Sequence, residues 1–161
     1  MTTSTTQLPN QISRTHSGFT LIELMVTIAV LAIIVGIAAP NISTQLANQR
    51  VKSTTAMLEN ALKEAKVESV IRRQSLEFSF DDSTHSIVVK SIGVDVISDE
   101  VASYKYGPKS VIKSDKSSIT FSPNKHADAV VFNVCDNKSS ATMQVIVTAT
   151  ANISTAAGGT C

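Results

Sequence analysis

Glu23 is the one charged side chain in the run FTLIELMVTIAVLAIIVGIAA, which extends from Phe19 to Ala39. A carboxylate in an apolar helix costs roughly 2.5–3.5 kcal/mol at a bilayer centre, so such a group marks a function or an intended partner. A cut between Gly18 and Phe19 would create an α-ammonium four residues before Glu23, about one helical turn away. In a bundle of parallel helices the amine of one subunit would neutralise Glu23 of its neighbour and fix the axial stagger. The other reactive residues are sparse. Cys135 and Cys161 have no second Cys or His at metal-ligand spacing, which excludes zinc-knuckle and CxxC chemistry. In an exported head a disulfide between them would close a loop of about 27 residues and contribute roughly 3 kcal/mol. It would also tie down the C-terminus. His16, His85 and His126 are isolated along the sequence. There is no nucleotide-binding glycine loop, metal-ligand cluster or nucleophile elbow. The sequence therefore suggests no catalytic residues, no metal and no cofactor.

The elements that must position Glu23 follow from pattern. A stretch of about twenty apolar residues is the length that crosses the hydrocarbon core as a helix. A removable secretory signal is disfavoured, because the only candidate site, at Ala38 and Ala39, runs straight into Pro40 and only Arg14 is charged upstream. Gly36 and Pro40 are expected to kink the helix or break it locally. Helical periodicity resumes beyond them, with Val51, Thr55, Leu58, Leu62 and Ala65 on one face, and predicts helix to about Gln74. Glu59, Glu64 and Glu68 beside Lys63 and Lys66 read as a solvated face with i to i+4 pairs. Arg72 and Arg73 suit the negative pole of the helix.

After Ser75 the pattern changes to short runs that read as strands: 76–80, 87–92, 101–106, 119–122, 130–134 and 143–148. Asp81-Asp82-Ser83-Thr84 is a hairpin turn by composition, and Gly107-Pro108, Ser122-Pro123-Asn124 and Asp136-Asn137 punctuate the rest. The chain of 161 residues thus suits one head domain plus an appendage. It is α+β: a long N-terminal helix, half membrane and half amphipathic, packed on an antiparallel sheet. With only five Phe, two Tyr and no Trp, the core is expected to rely on Ile, Val, Leu and Ala.

The segment Gly18-Phe19-Thr20-Leu21-Ile22-Glu23-Leu24 resembles the prepilin motif of type IV pilins and type II secretion pseudopilins. The resemblance implies a leader, 1–18, removed by prepilin peptidase after Gly18, and N-methylation of Phe19. It makes Glu23 the assembly glutamate. The expected divisions are then 19–40 as the transmembrane and assembly half of the helix, 41–74 as its amphipathic half and 75–161 as a periplasmic β-rich head of pilin fold. The tail, through Ile119-Thr120-Phe121-Ser122-Pro123, Val134-Cys135 and Cys161, is similar to the FimU, FimT and GspH subgroup of minor pilins and pseudopilins. That implies a minor, initiating or capping subunit in the inner membrane and at a filament tip. The implied partners are other minor pilins, the major pilin, prepilin peptidase and membrane lipid.

Two alternatives belong beside that reading. One is the minor pseudopilin of type II secretion. The other is a DNA-binding competence pilin, since some of that subgroup bind DNA through a basic C-terminal hairpin motif. Here the equivalent stretch, Thr148 to Ile153, lacks Lys and Arg, and no charged side chain follows Lys138. Without cations there is little counterion release to drive binding. Net charge is also near neutral: removing Arg14 with the leader takes 14 basic residues to 13, against 13 acidic. The remaining basic patch, Tyr104-Lys105-Tyr106 with Lys109, Lys113 and Lys116, has the interleaving that grips single strands. Lysines on exposed strands also serve to block edge pairing. Nucleic acid is the disfavoured partner, with Lys105 and Lys109 as its candidate contacts.

Overall fold

The structure, a computed structural model, describes residues 18–92 and 99–161, with the side chains at 38–41 outside the description. The chain divides into two units, Met1–Ala39 and Pro40–Cys161. Helix α1 is assigned from Leu21 to Arg72. Its continuation to Arg72 accords with the resumed periodicity. The break expected at Gly36 and Pro40 falls partly outside the described residues, Pro40 being one of those without a described side chain.

Within the second unit α1 presents one buried face. Ala47, Val51, Leu58, Ala61, Leu62 and Ala65 are inaccessible, and Thr54, Thr55 and Ser69 continue the same three-and-four spacing. The helix ends on a Schellman-type closure: Arg73 adopts a positive φ of 55° and the Gln74 amide bonds the Ser69 carbonyl at 3.2 Å. Arg72 pairs with Glu68 at 2.7 Å and Lys63 with Glu59 at 2.7 Å. Glu64 departs from the expected solvated face, because it accepts a hydrogen bond from the Tyr104 hydroxyl, and that bond is the first cause of a raised Tyr104 pKa.

The strands are β1 Leu76–Asp81, β2 Ser86–Ser91, β3 Glu100–Lys105, β4 Ser110–Lys113, β5 Ser118–Phe121, β6 Val130–Asp136, β7 Met143–Val147 and β8 Ile153–Ala157. They form two four-stranded antiparallel sheets, β3-β2-β1-β5 and β4-β6-β7-β8, where the sequence suggested one. The Asp81–Thr84 turn joins β1 to β2 as expected. In it the Ser83 hydroxyl and amide, with the Thr84 hydroxyl, hold the Asp81 carboxyl down to about 2. Its neighbour Asp82 accepts from the Tyr106 hydroxyl at 2.9 Å and from the Ile112 amide at 3.3 Å, tying the turn to β4.

One core cluster joins α1 to both sheets. As expected it is built mostly from Val, Leu, Ile and Ala, with three phenylalanines, Phe78, Phe121 and Phe132, as its largest fully buried side chains. Phe132 meets Phe78 and Phe80 edge-on at 5.7 and 5.8 Å between ring centroids. The few aromatics are thus concentrated where α1 and the two sheets share a core.

Two clasps close the head at neighbouring residues of β6. Cys135 is disulfide-bonded to Cys161. Asp136, whose side chain is 2% exposed, accepts from the Arg50 guanidinium at 2.8 Å and from the Lys138 amide at 2.9 Å. Asn48, on the same helix, accepts from the Ser139 hydroxyl at 2.6 Å. The hydrogen bond from Arg50 is the main cause of a lowered Asp136 pKa. A lowered native value means that this stability is full above the ordinary Asp value of about 3.9 and is lost as pH falls through the native one. Arg50→Met should therefore destabilise the head by about 1.5–3 kcal/mol at pH 7 and by less at pH 3. Urea unfolding at both pH values checks this, and equal losses would contradict it. Cys161→Ser should cost roughly 3 kcal/mol in the same assay. Both thiols of the unmodified protein should resist alkylation until reduced.

Candidate functional site

The first unit carries the site. Gly18, Phe19 and Thr20 precede α1, outside regular structure and exposed. Phe19 is 82% exposed, and a Cβ built on Gly18 would meet nothing within 4 Å. Among the described residues nothing covers the Gly18–Phe19 bond.

Thr20 caps the helix. Its hydroxyl accepts from the Glu23 amide at 3.2 Å, and its carbonyl accepts the first helical bond, from Leu24 at 3.2 Å. Threonine at the cap with glutamate three residues on is the spacing of a capping box. It also places the Glu23 carboxylate in the first turn, where the positive end of the helix favours an anion. Glu23 is exposed, and among the described residues no cation pairs with it. Beyond it the large apolar side chains through Ile37 are all 50–70% exposed, on a helical length of about 25 Å for the seventeen residues from Leu21. Gly36 lies in this exposed stretch, and a Cβ there would also meet nothing within 4 Å. Among the described residues no single helix is long and apolar enough to span a membrane, but Leu21–Ile37 and Ile42–Arg72 together are, by length and composition.

The remaining candidate residues lie in the head. Cys135 and Cys161 are brought together. Lys105 lines a cleft of about 200 Å³ with Arg50, Thr54 and Ser110, while Lys109 lies near enough to Asp136 to help lower its pKa. Lys113 donates to the Cys161 carbonyl, and Lys116 stands 3.9 Å from Asp128. The lysines of the basic patch are thus each set against different neighbours. Among the described residues no group of three His, Cys, Asp or Glu could hold a metal. Sequence reasoning missed Thr20, although the T-x-x-E spacing signals it. It also missed Arg50 with Asp136, for which no local signal exists across 86 residues.

An exposed Gly-Phe junction precedes a capped apolar helix in the first unit, and the second unit is an α+β head of two antiparallel sheets. Residues 13–39 match the prokaryotic N-terminal methylation motif. The head has the fold of the type IV minor pilin FimU of Pseudomonas aeruginosa, seen in two crystal forms at 16% identity. The TM-scores are 0.59 and 0.61, over 68% and 70% of this chain and 98% and 96% of that one. It is likewise similar to the minor pseudopilin EpsH from the type 2 secretion system of Vibrio cholerae, at 8% identity and a TM-score of 0.59, over 67% of this chain and 97% of that one. No curated protein sequence matches the chain. At these identities the likeness is one of fold.

The cap is directly testable. Thr20→Ala should cost about 1 kcal/mol at the helix start, equivalent to about fivefold faster exchange of the Glu23 amide. Amide exchange of the full chain in detergent micelles would read it. Unchanged exchange would show that the hydroxyl does not hold the first turn.

Proposed function

We propose that the chain is a FimU-like minor pilin that helps initiate or cap a type IV pilus. The observation that carries the reading is the exposed Gly18–Phe19 junction, one capped turn before Glu23, which no cation pairs among the described residues, on an exposed apolar helix. Prepilin peptidase cuts after Gly18 and methylates Phe19. The helix anchors the chain once across the inner membrane, with the head in the periplasm. Gly36 and Pro40 loosen that helix near its exit from the bilayer. On assembly the helix leaves lipid for a bundle of pilin helices, and the α-ammonium of one subunit meets Glu23 of another. The partners are then the other minor pilins and the major pilin.

The likeness to EpsH supports a second reading, in which the same chemistry builds a pseudopilus of type II secretion. Neighbouring genes distinguish the two machines: minor-pilin genes favour the first and secretion genes the second. A DNA receptor is less well supported. Lys109 acts on the Asp136 carboxylate, and the hairpin from β7 to β8 carries no charged side chain.

Glu23→Ala tests the assembly role. The variant should insert into the membrane normally but lose copurification with minor-pilin partners and reduce surface filaments. Unchanged copurification and filament number would remove Glu23 from assembly. For the DNA reading, a salt-sensitive gel shift lost in Lys105→Ala and Lys109→Ala would restore it, and a flat titration is the expected result.

A further inference from the structure

The two sheets have four edge strands, β3, β5, β4 and β8, and an unpaired edge is a template for another chain unless it is guarded. The first three are guarded. β3 begins with Glu100 and ends with Lys105, and its pairing with β2 is interrupted at Val89/Lys90. β5 is covered by the chain that follows it, through the bridge between Phe121 and Ala127 and the Thr120 amide bonded to the Asp128 carboxylate at 3.0 Å. β4 is four residues long, ends on Lys113 and gives its Ile112 amide to Asp82 at 3.3 Å.

β8 has none of these devices. Its sequence is ISTAA, without charge, proline or bulge, and its register with β7 is unbroken from Val147↔Ile153 to Met143↔Ala157. The direction of its free groups follows from two bonds that bracket the ladder: Thr148 to Asn152 at 3.0 Å and Gly158 to Thr142 at 2.9 Å. Antiparallel pairs alternate between bonded and non-bonded, so Ser154 and Ala156 bond inward. Ile153, Thr155 and Ala157 then turn their N–H and C=O groups outward. Among the described residues nothing bonds them. The open edge spans about 14 Å, and its C-terminal end is held by the disulfide at Cys161.

We propose that the outer edge of β8 is a docking strand, completed by an uncharged extended strand from a different subunit of the same assembly. Main-chain pairing of this kind gives affinity, while alternate side chains give specificity. The proposal rests on the reading of the chain as a filament-type subunit, which also identifies the occupant. In a filament of axially staggered parallel helices each subunit meets the next through an unlike surface, so β8 does not face β8 of another copy. The other edges of a second copy are guarded by charge or already covered. The partner is therefore another polypeptide, and the absence of charged side chains from Ser139 to Cys161 selects an uncharged strand.

The test uses the full chain in its own membrane, with a photo-reactive residue at the exposed Ser154 and, as control, at Lys125 beside the covered β5 edge. The expected result is an adduct from position 154 alone, whose second component is a different polypeptide bearing its own N-methylation motif. Thr155→Pro removes an outward donor but no bond to β7, a placement proline tolerates on an edge. It should reduce the adduct by about tenfold or more, the equivalent of losing one or two hydrogen bonds. Resistance of Cys135 and Cys161 to alkylation reports that the head is folded. Thr155→Lys keeps the donor and adds an edge charge, and decides the matter should the proline variant unfold. An adduct of two copies of this chain, an adduct with a partner lacking the motif, an equal adduct from Lys125, or an adduct indifferent to both variants would overturn the proposal. Cleavage after Gly18, read in the same samples, reports separately on the underlying functional reading.

Discussion

A carboxylate one turn into an otherwise uncharged helix has to be satisfied, and much of this protein is arranged around that requirement. The Thr20 cap and the positive helix end favour the Glu23 anion at the start of α1. They do not neutralise it, and a membrane or helix-bundle setting still demands a cation. The nearest one the chain can make is its own N-terminus after a cut at the exposed Gly18–Phe19 bond. A free amine on each subunit and a carboxylate one turn later give parallel helices a reason to register. In the proposed assembly the apolar surface from Phe19 to Ile37 would supply the attraction between helices, and the charge pair the stagger.

The head answers a different requirement: a helix face and two small sheets must share one core. Phe132 joins the sheets by meeting Phe78 and Phe80, and Leu58, Leu62 and Ala65 bring α1 against them. The two clasps at Cys135 and Asp136 act on adjacent residues of β6, one toward the C-terminus and one toward α1. The disulfide constrains the unfolded chain, whereas Arg50 compensates a buried carboxylate that would otherwise be a liability. Together they hold β6 at the centre of its sheet, so that β8 at the margin is fixed in place with its outer edge open.

What could be read in the sequence was whatever is local. The prepilin motif, the periodicity that carried α1 beyond Pro40, the Asp81–Thr84 turn and most strands all lie within short windows. β4 and β8 escaped, because SVIK is too short to show alternation and ISTAA has one large apolar residue and two alanines, which are depleted in strands. The split into two sheets, the aromatic centre of the core and the Arg50–Asp136 pair depend on contacts between distant parts of the chain. Glu64 illustrates the same limit: on the helix it looks like one more solvated carboxylate, yet it reaches Tyr104 on β3. At the candidate site, Gly18, Phe19 and Glu23 were singled out by the motif spacing and by the one charge in an apolar run. The role of Thr20 is a matter of which hydrogen bonds its hydroxyl and carbonyl accept.

The claim that most depends on this chemistry is that the chain works with a newly made amine at Phe19. Intact-mass spectrometry of the protein purified from its own membranes measures this directly. The account predicts a chain that begins at Phe19 and carries one N-methyl group. A membrane-resident protein that retains residues 1–18 would leave Glu23 without its cation and contradict the account.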